Sequence, residues 1–164
     1  MKKSILTVSL LTLGCVMASL YGMLHNQISY TVSHEYFDRF KFIQFHIAPE
    51  LQGRIGASLV GLAASWWMGI VIGVCLLFTT KVFPIGEGYS RAMIKAYCIA
   101  AGTALVTGLL ALLYAYATLD VTKVGEIVRY GQEIHDPVAF MRAGTMHNFS
   151  YLGGLLGIVT GSAS

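Results

Sequence analysis

The segment of residues 55–80 most constrains the fold, because it contains no charged residue. A helix of about 20 apolar residues, rising about 1.5 Å per residue, crosses the hydrocarbon core of a bilayer. Three other segments have a similar length and few polar residues, and the last of them is rich in glycine. The four predicted membrane spans are residues 5–24, 55–80, 96–119 and 145–162.

The amino-acid composition is also that of a membrane protein. The 164 residues are 55% hydrophobic and 12% charged, and the mean hydropathy is +0.66. Since a chain of this length normally forms one domain, we expect residues 1–164 to be a single all-α, integral membrane four-helix bundle. The formal net charge of +3 is not concentrated in a patch, so membrane lipids are expected partners and nucleic acid is not.

The N-terminal residues bear on the orientation of the chain. Lys2 and Lys3 precede an apolar run, as in a secretory signal, but this run continues to Leu24. That is longer than the core of a typical signal peptide, so we expect the first span to be retained. Counted over the whole chain, five Lys and Arg residues lie on the side of the termini, Lys2 and Lys3 included, and six lie on the other side. The short Lys2-Lys3 tail then predicts that both termini are cytoplasmic.

Two segments on the other side are expected to lie on the membrane surface. Residues 28–43 carry hydrophobic residues at a spacing that indicates an amphipathic helix. Residues 120–142 form a second surface segment, in which Val124, Ile127 and Val128 have a roughly helical spacing.

Polar residues that could take part in catalysis or bind a ligand are concentrated on the side of the membrane where these surface segments are expected. All five histidines lie there, as does every acidic residue except Glu87. His25 lies at the predicted end of the first span and His147 near the start of the fourth, so both meet the same membrane surface. Glu35 follows in the first surface segment and could fold back over the mouth of the bundle. Buried polar groups at this boundary need partners, so these three are the candidate catalytic and metal-binding residues.

Two histidines and a carboxylate support several chemistries. They are the ligands of a facial iron site or of an open zinc site, and without a metal they could form a proton relay. The histidines alone could bind copper or, as a less favoured cofactor, haem. Each histidine could also simply cap its helix or anchor the interface. Gln27, Asn148 and Tyr151 are expected to hydrogen-bond the candidate residues.

Small residues recur at every fourth position in three of the predicted spans. Such stripes let helices approach closely within lipid, and they predict tight packing, or a face left for a membrane-protein partner. The stripes are Ala57, Gly61, Ser65, Gly69 and Gly73; Ala96, Ala100, Ala104 and Gly108; and Gly153, Gly157 and Gly161. Trp66 and Trp67 are expected to pack in the core, with the lining of a cavity for an apolar or planar ligand as the alternative.

A set of residues near the candidate site occurs in a recognisable combination. The set is Tyr21, Gly22, His25, Gln27, Glu35-Tyr36-Phe37, Trp66-Trp67, His147-Asn148 and Ser150-Tyr151. In these residues the chain resembles a family of small bacterial four-span integral membrane proteins, and the resemblance implies a location in a bacterial inner membrane. The resemblance favours His25, Glu35 and His147 as the functional group, but it implies no activity. Asn26 stands where the family more often has aspartate, which removes an anionic ligand from a metal site.

Three functions remain open from the sequence. The first is a metal-dependent or acid–base enzyme that acts on a lipid or a small apolar substrate at the extracytoplasmic face. The second is a structural or accessory subunit of a larger membrane complex. The third is a haem- or copper-binding electron carrier. The HExxH, CxxC and GxSxG motifs are absent, so no particular enzyme class is indicated.

Overall fold

The computed structural model describes residues 3–80 and 88–162, and four long helices account for most of them. The predicted all-α class is confirmed. Lys2, on which the expected orientation partly rests, lies outside the described residues. The long helices are α1 (Lys3–Val32), α3 (Arg54–Thr80), α4 (Tyr89–Thr118) and α5 (Pro137–Ser162).

Three of the long helices have the length and hydropathy of a membrane span. They are Ile5–Val32 in α1, Arg54–Cys75 in α3 and Tyr89–Thr118 in α4. The chain is therefore compatible with a membrane-embedded protein. The predicted fourth span lies within α5, which is not among these three, so its crossing of the membrane stays a prediction.

The long helices associate as two closely packed pairs, α1 with α3 and α4 with α5. Gly61 of α3 lies against Gly22 of α1 so closely that a Cβ atom on Gly61 would collide with the backbone. Gly157 of α5 packs in the same way against Ala100 of α4. These small residues allow the close approach of helices that lipid surroundings require. The glycine stripes therefore pack against helices of the same chain, and a partner protein stays a prediction.

Trp66 and Trp67 lie on the outside of the helices. Each is 46% exposed, so the expectation that they pack in the core is wrong. The physical reason is the direction of the small-residue stripe. Because α3 presents its small residues to α1, the large residues between them point away from the pair, towards the expected lipid.

The first surface segment is more irregular than predicted. Helix α1 continues past His25 to Val32, and the chain then forms a short π-helix at Phe37–Lys41 and a helical turn, α2, at Phe42–Gln44. A 3-10 turn at Pro49–Leu51 precedes α3. The Phe37 and Phe42 rings are buried in a cluster that includes residues of α3 and α5, so this segment covers the ends of those helices.

The second surface segment does not form the helix that its hydrophobic spacing indicated. It contains a small hairpin in which β1 (Val128–Arg129) pairs antiparallel with β2 (Gln132–Glu133). The two residues between them, Tyr130 and Gly131, have φ values of 49° and 75°. Two consecutive positive φ angles produce a tight turn whose twist matches paired strands. The turn geometry has therefore prevailed over the weak helical pattern.

Helix α5 begins at Pro137, eight residues before the predicted fourth span. The Asp136 carboxylate accepts a hydrogen bond of 2.9 Å from the backbone N–H of Ala139. This is the geometry of a helix N-cap, with proline in the first turn. The Asp-Pro dipeptide therefore marks the start of α5.

Candidate functional site

The structure brings His25 of α1 and His147 of α5 into direct contact. Their ring centroids are 4.6 Å apart and the rings are nearly perpendicular, at 80°. His25 is 4% exposed and His147 is 7% exposed. The two histidines that the sequence placed at one membrane surface therefore form one buried group.

Each histidine hydrogen-bonds a serine of the other helix. His25 Nε2 lies 2.9 Å from Ser150 Oγ, and His147 Nε2 lies 3.0 Å from Ser29 Oγ. In each helix the serine follows the histidine by about one turn, so both side chains share a helix face. Because the earlier residue of α1 meets the later residue of α5, the two helices run in opposite directions here.

Asn26 orients the His25 ring. Its side-chain Nδ2 donates a hydrogen bond of 3.0 Å to the backbone oxygen of Ala57, which turns Oδ1 towards His25 Nδ1 at 3.4 Å. With Asn26 in this orientation, Nδ1 of His25 carries the proton and Nε2 accepts from Ser150. The result is a continuous chain of polar groups from α3 through α1 to α5.

The Ser29–His147 pair has a different hydrogen-bonding pattern. Ser29 is fully buried, and its hydroxyl lies 3.4 Å from the backbone oxygen of His25. If the hydroxyl donates to this oxygen, Nε2 of His147 carries the proton and donates to Ser29. The Tyr36 ring stacks on His147 at a centroid distance of 5.0 Å and covers it. The Ser29 hydroxyl and the His147 ring are therefore both covered by neighbouring groups of the protein.

An apolar cavity adjoins the His25–Ser150 pair, between the two helix pairs. The volume of the cavity is about 80 Å³. The lining residues of α1 run from Gly14 to Asn26, a distance of about 18 Å along a helix. Both histidines, Ser150 and Tyr151 lie among the lining residues, whereas Ser29 does not. The cavity is thus long and narrow, and the histidines lie at its polar end.

Lys41 of the π-helix also lines the cavity. Its Nζ donates to Gln44 at 3.0 Å and lies 4.4 Å from the centre of the Phe40 ring. Burial lowers the pKa of Lys41 to about 8. Among the cavity-lining residues in the described part of the chain, Lys41 is the only Lys or Arg and none is Asp or Glu.

Two buried tyrosine hydroxyls in the cavity wall make no hydrogen bond to the described residues, those of Tyr21 and Tyr97. Tyr21 lies beside Ser150, and its ring centroid is 5.7 Å from that of His25. Tyr97 lies towards the other end of the cavity, where it contacts Gly14 and Gly73. Tyr21 therefore places a second hydroxyl beside Ser150, at the polar end of the cavity.

Glu35 lies elsewhere and has its own partners. Its carboxylate accepts hydrogen bonds from the backbone N–H groups of His135, at 3.1 Å, and Asp136, at 2.7 Å. It also forms an ion pair of 3.0 Å with Arg39. Burial acts to raise the pKa of Glu35, but the two hydrogen bonds and the Arg39 charge outweigh burial and hold this pKa below its usual value. Glu35 thus tethers the loop after α1 to the start of α5.

The predicted set of His25, Glu35 and His147 is therefore not assembled in one place. Within residues 3–80 and 88–162, no group of three or more His, Cys, Asp or Glu side chains is arranged to hold a metal ion. The structure assembles two of the three candidates and adds serines where the carboxylate was expected.

The other predicted contributors have separate positions. Gln27 donates to the backbone oxygen of Arg54 and to Ser58, at 2.9 and 2.8 Å, so it faces α3. Asn148 is exposed, and Tyr151 lines the cavity. The serines were missed as partners of the histidines. Their position one helical turn after each histidine is the signal that could have identified them.

No family model, no curated protein and no solved structure matches this chain. The resemblance to small bacterial membrane proteins therefore stays a prediction. Any function has to be inferred from the chemistry of the site itself.

Proposed function

We propose that this protein is a membrane-embedded enzyme that performs acid–base chemistry on a lipid-derived or small apolar molecule held in the cavity. The observation that carries the proposal is His25 Nε2, which hydrogen-bonds Ser150 at the polar end of an apolar cavity. Imidazole is the side chain most often used to transfer protons in enzymes. A substrate lying along the cavity would present its polar atoms to this group.

Burial supports a catalytic role over a purely structural one. Polar side chains within membrane helices are costly and usually functional. Helix packing within each pair relies on small residues such as Gly22 and Gly61, so the histidines are not needed for that packing. The stripes that favoured a structural subunit are already covered within the chain.

The ring geometry favours acid–base chemistry over metal or haem binding. Both Nε2 atoms are already hydrogen-bonded to serines, and Glu35 is engaged at the start of α5. The two rings are in contact, so a porphyrin has no room between them. A proton relay requires no rearrangement of these side chains.

The location of the site is part of the proposal. With both termini in the cytoplasm of a bacterium, His25 and His147 would lie towards the extracytoplasmic side of the inner membrane. A substrate would then enter from the outer leaflet. Labelling of an engineered cysteine at Tyr130, in the exposed hairpin on the same side, by a membrane-impermeant maleimide in intact cells tests this orientation.

A lipid assay tests the proposed function. The purified protein is reconstituted in liposomes made from a bacterial lipid extract, and lipid species are followed by mass spectrometry. We expect the wild-type protein to convert at least one lipid species into another. This conversion should be about 100-fold slower in His25→Gln, because a general acid or base typically contributes a factor of this size. The control is Gly102→Leu, because Gly102 is exposed and has open space beside it. A change that proceeds equally fast in His25→Gln, or no change at all, would overturn the proposal.

A further inference from the structure

We infer that Ser150 is a nucleophile and that the substrate is an ester of a single long-chain acid. This inference rests on the proposed function and names its reaction and substrate class. Two observations support it. One is the series of polar contacts from Asn26 through His25 to Ser150, and the other is the shape of the cavity beside Ser150.

Ser150 has the partners that an activated serine requires. Its Oγ lies 2.9 Å from His25 Nε2, which accepts the hydroxyl proton. Nδ1 of the same ring faces Asn26 Oδ1, and Asn26 is held by the Ala57 backbone. Nucleophile, base and orienting group in this order constitute the geometry by which serine hydrolases are recognised, independently of fold.

Access distinguishes Ser150 from Ser29. Ser150 lines the cavity, whereas Ser29 is fully buried and does not line it. Ser29 also has backbone oxygens within reach of its hydroxyl. Only the Ser150 pair therefore combines an available proton acceptor with space for a substrate.

Tyr21 supplies a hydrogen-bond donor where negative charge would develop. Attack on an ester carbonyl places a negative charge on its oxygen, and a preorganised donor stabilises this charge. The Tyr21 hydroxyl is buried, lines the cavity and interacts with Ser150, but its contacts with the described residues do not reach full hydrogen-bond geometry. A carbonyl oxygen between Ser150 and Tyr21 would satisfy this hydroxyl.

The cavity indicates the kind of acid. It extends about 18 Å along α1 but is narrow, and away from the histidines it is lined mainly by apolar residues such as Met17, Met68 and Ile72. At about 80 Å³ the cavity is smaller than a long hydrocarbon chain, but it is partly open. One extended chain would therefore lie along the apolar wall and continue through the open side, and burial of the enclosed part is favourable. The ester group at the head of the chain would lie at Ser150.

The reaction is balanced by water alone. Ser150 Oγ bonds to the ester carbon as its proton passes to His25 Nε2. The bond from that carbon to the alcohol oxygen then breaks, and the alcohol leaves with the proton from His25. Water attacks the acyl-serine in the same way, gives a proton to His25 and releases the carboxylic acid as Ser150 recovers its proton. The net change is the hydrolysis of an ester, without oxidation or reduction.

Labelling with a long-chain alkyl fluorophosphonate tests this inference. The probe phosphonylates activated serines with loss of fluoride, and mass spectrometry locates the modified residue in the full-length protein in liposomes. We expect Ser150 to be labelled in the wild type, about 100-fold more slowly in His25→Gln, and not in Ser150→Ala. Ser29 in the same molecule is the internal control and should stay unlabelled.

A matched pair of glycine variants tests the role of the cavity. Gly154 is buried, lines the cavity and has open space at its Cβ position, so Gly154→Leu should fill the cavity and slow labelling at least tenfold. Gly102 has equally open space but does not line the cavity, so Gly102→Leu should label at the wild-type rate. Thermal unfolding of each variant in detergent shows whether it is folded.

Failure of this inference is distinguishable from failure of the proposed function. If wild-type Ser150 is not labelled, or is labelled equally fast in His25→Gln, Ser150 is not an activated nucleophile. If the histidine-dependent change in lipids persists in a folded Ser150→Ala variant, the nucleophile is also wrong, but the acid–base function stands. If no lipid change depends on His25, the proposed function itself fails.

Discussion

The contacts within each helix pair differ sharply from those between the pairs. Within α1 and α3, and within α4 and α5, small residues bring the backbones together, as Gly61 does against Gly22. Between the pairs the helices instead surround the cavity. The polar link that contains His25 and Ser150 lies at one end of this gap.

This difference separates stability from function. Close packing within a pair makes a rigid unit, since helix association in lipid depends on van der Waals contact. A gap between two rigid units can hold a ligand without distorting either of them. We therefore expect substitutions within a pair to affect folding and substitutions in the gap to affect chemistry.

The largest effect on stability is expected for Gly61→Val, within the α1–α3 pair. A Cβ atom at Gly61 would collide with the Gly22 backbone, so the helices would have to separate. We expect a loss of about 3 kcal/mol of unfolding free energy, measured by thermal or denaturant unfolding in detergent. The control is Gly102→Val, on an open face of α4. Equal stability of the two variants would contradict the close contact within the pair.

A smaller effect of opposite sign is expected where α4 reaches across to the other pair. The Tyr97 hydroxyl is buried between Gly14 and Gly73 without a hydrogen-bond partner among the described residues. An unsatisfied buried hydroxyl is destabilising, so Tyr97→Phe should raise the unfolding free energy by about 1 kcal/mol. A marked loss of stability in the same unfolding assay would mean that the hydroxyl has a partner, such as a bound molecule in the cavity.

Glu35 is a tether between the pairs, and its effect should depend on pH. Because its pKa is lowered in the folded protein, its stabilisation is present above the ordinary value of 4.5 and is lost as the pH falls through the lowered pKa. Glu35→Gln should therefore lower stability by about 1 kcal/mol at pH 7 and by less under acidic conditions. Exposed Glu50 provides the control variant, Glu50→Gln. A pH-independent loss in Glu35→Gln would show that the tether does not depend on charge.

The long helices could be predicted from the sequence because hydropathy and span length are local properties. The end of α1 could not, since hydropathy falls at His25 while the helix continues to Val32. His25, Asn26 and Ser29 stay helical because their side chains find partners on α3 and α5. Those partners are distant in sequence and are known only from the fold.

The candidate site shows the same limit. The contact between His25 and His147 followed from their position at one membrane surface. The role of Glu35 did not, because it depends on backbone N–H groups about one hundred residues away. Ser150 is identified as the partner of His25 only once α5 is positioned against α1.

The smallest effect on stability is expected for Gly154→Leu, and this variant tests the comparison most directly. Gly154 belongs to α5, a closely packed helix, yet its Cβ position is open because it faces the cavity. The added side chain should fill empty space, so the unfolding free energy should stay within about 0.5 kcal/mol of the wild type, as for a surface substitution. Unfolding in detergent measures this change. A loss as large as that of Gly61→Val would mean that the gap is as tightly packed as the pairs, and the separation of stability from function would fail.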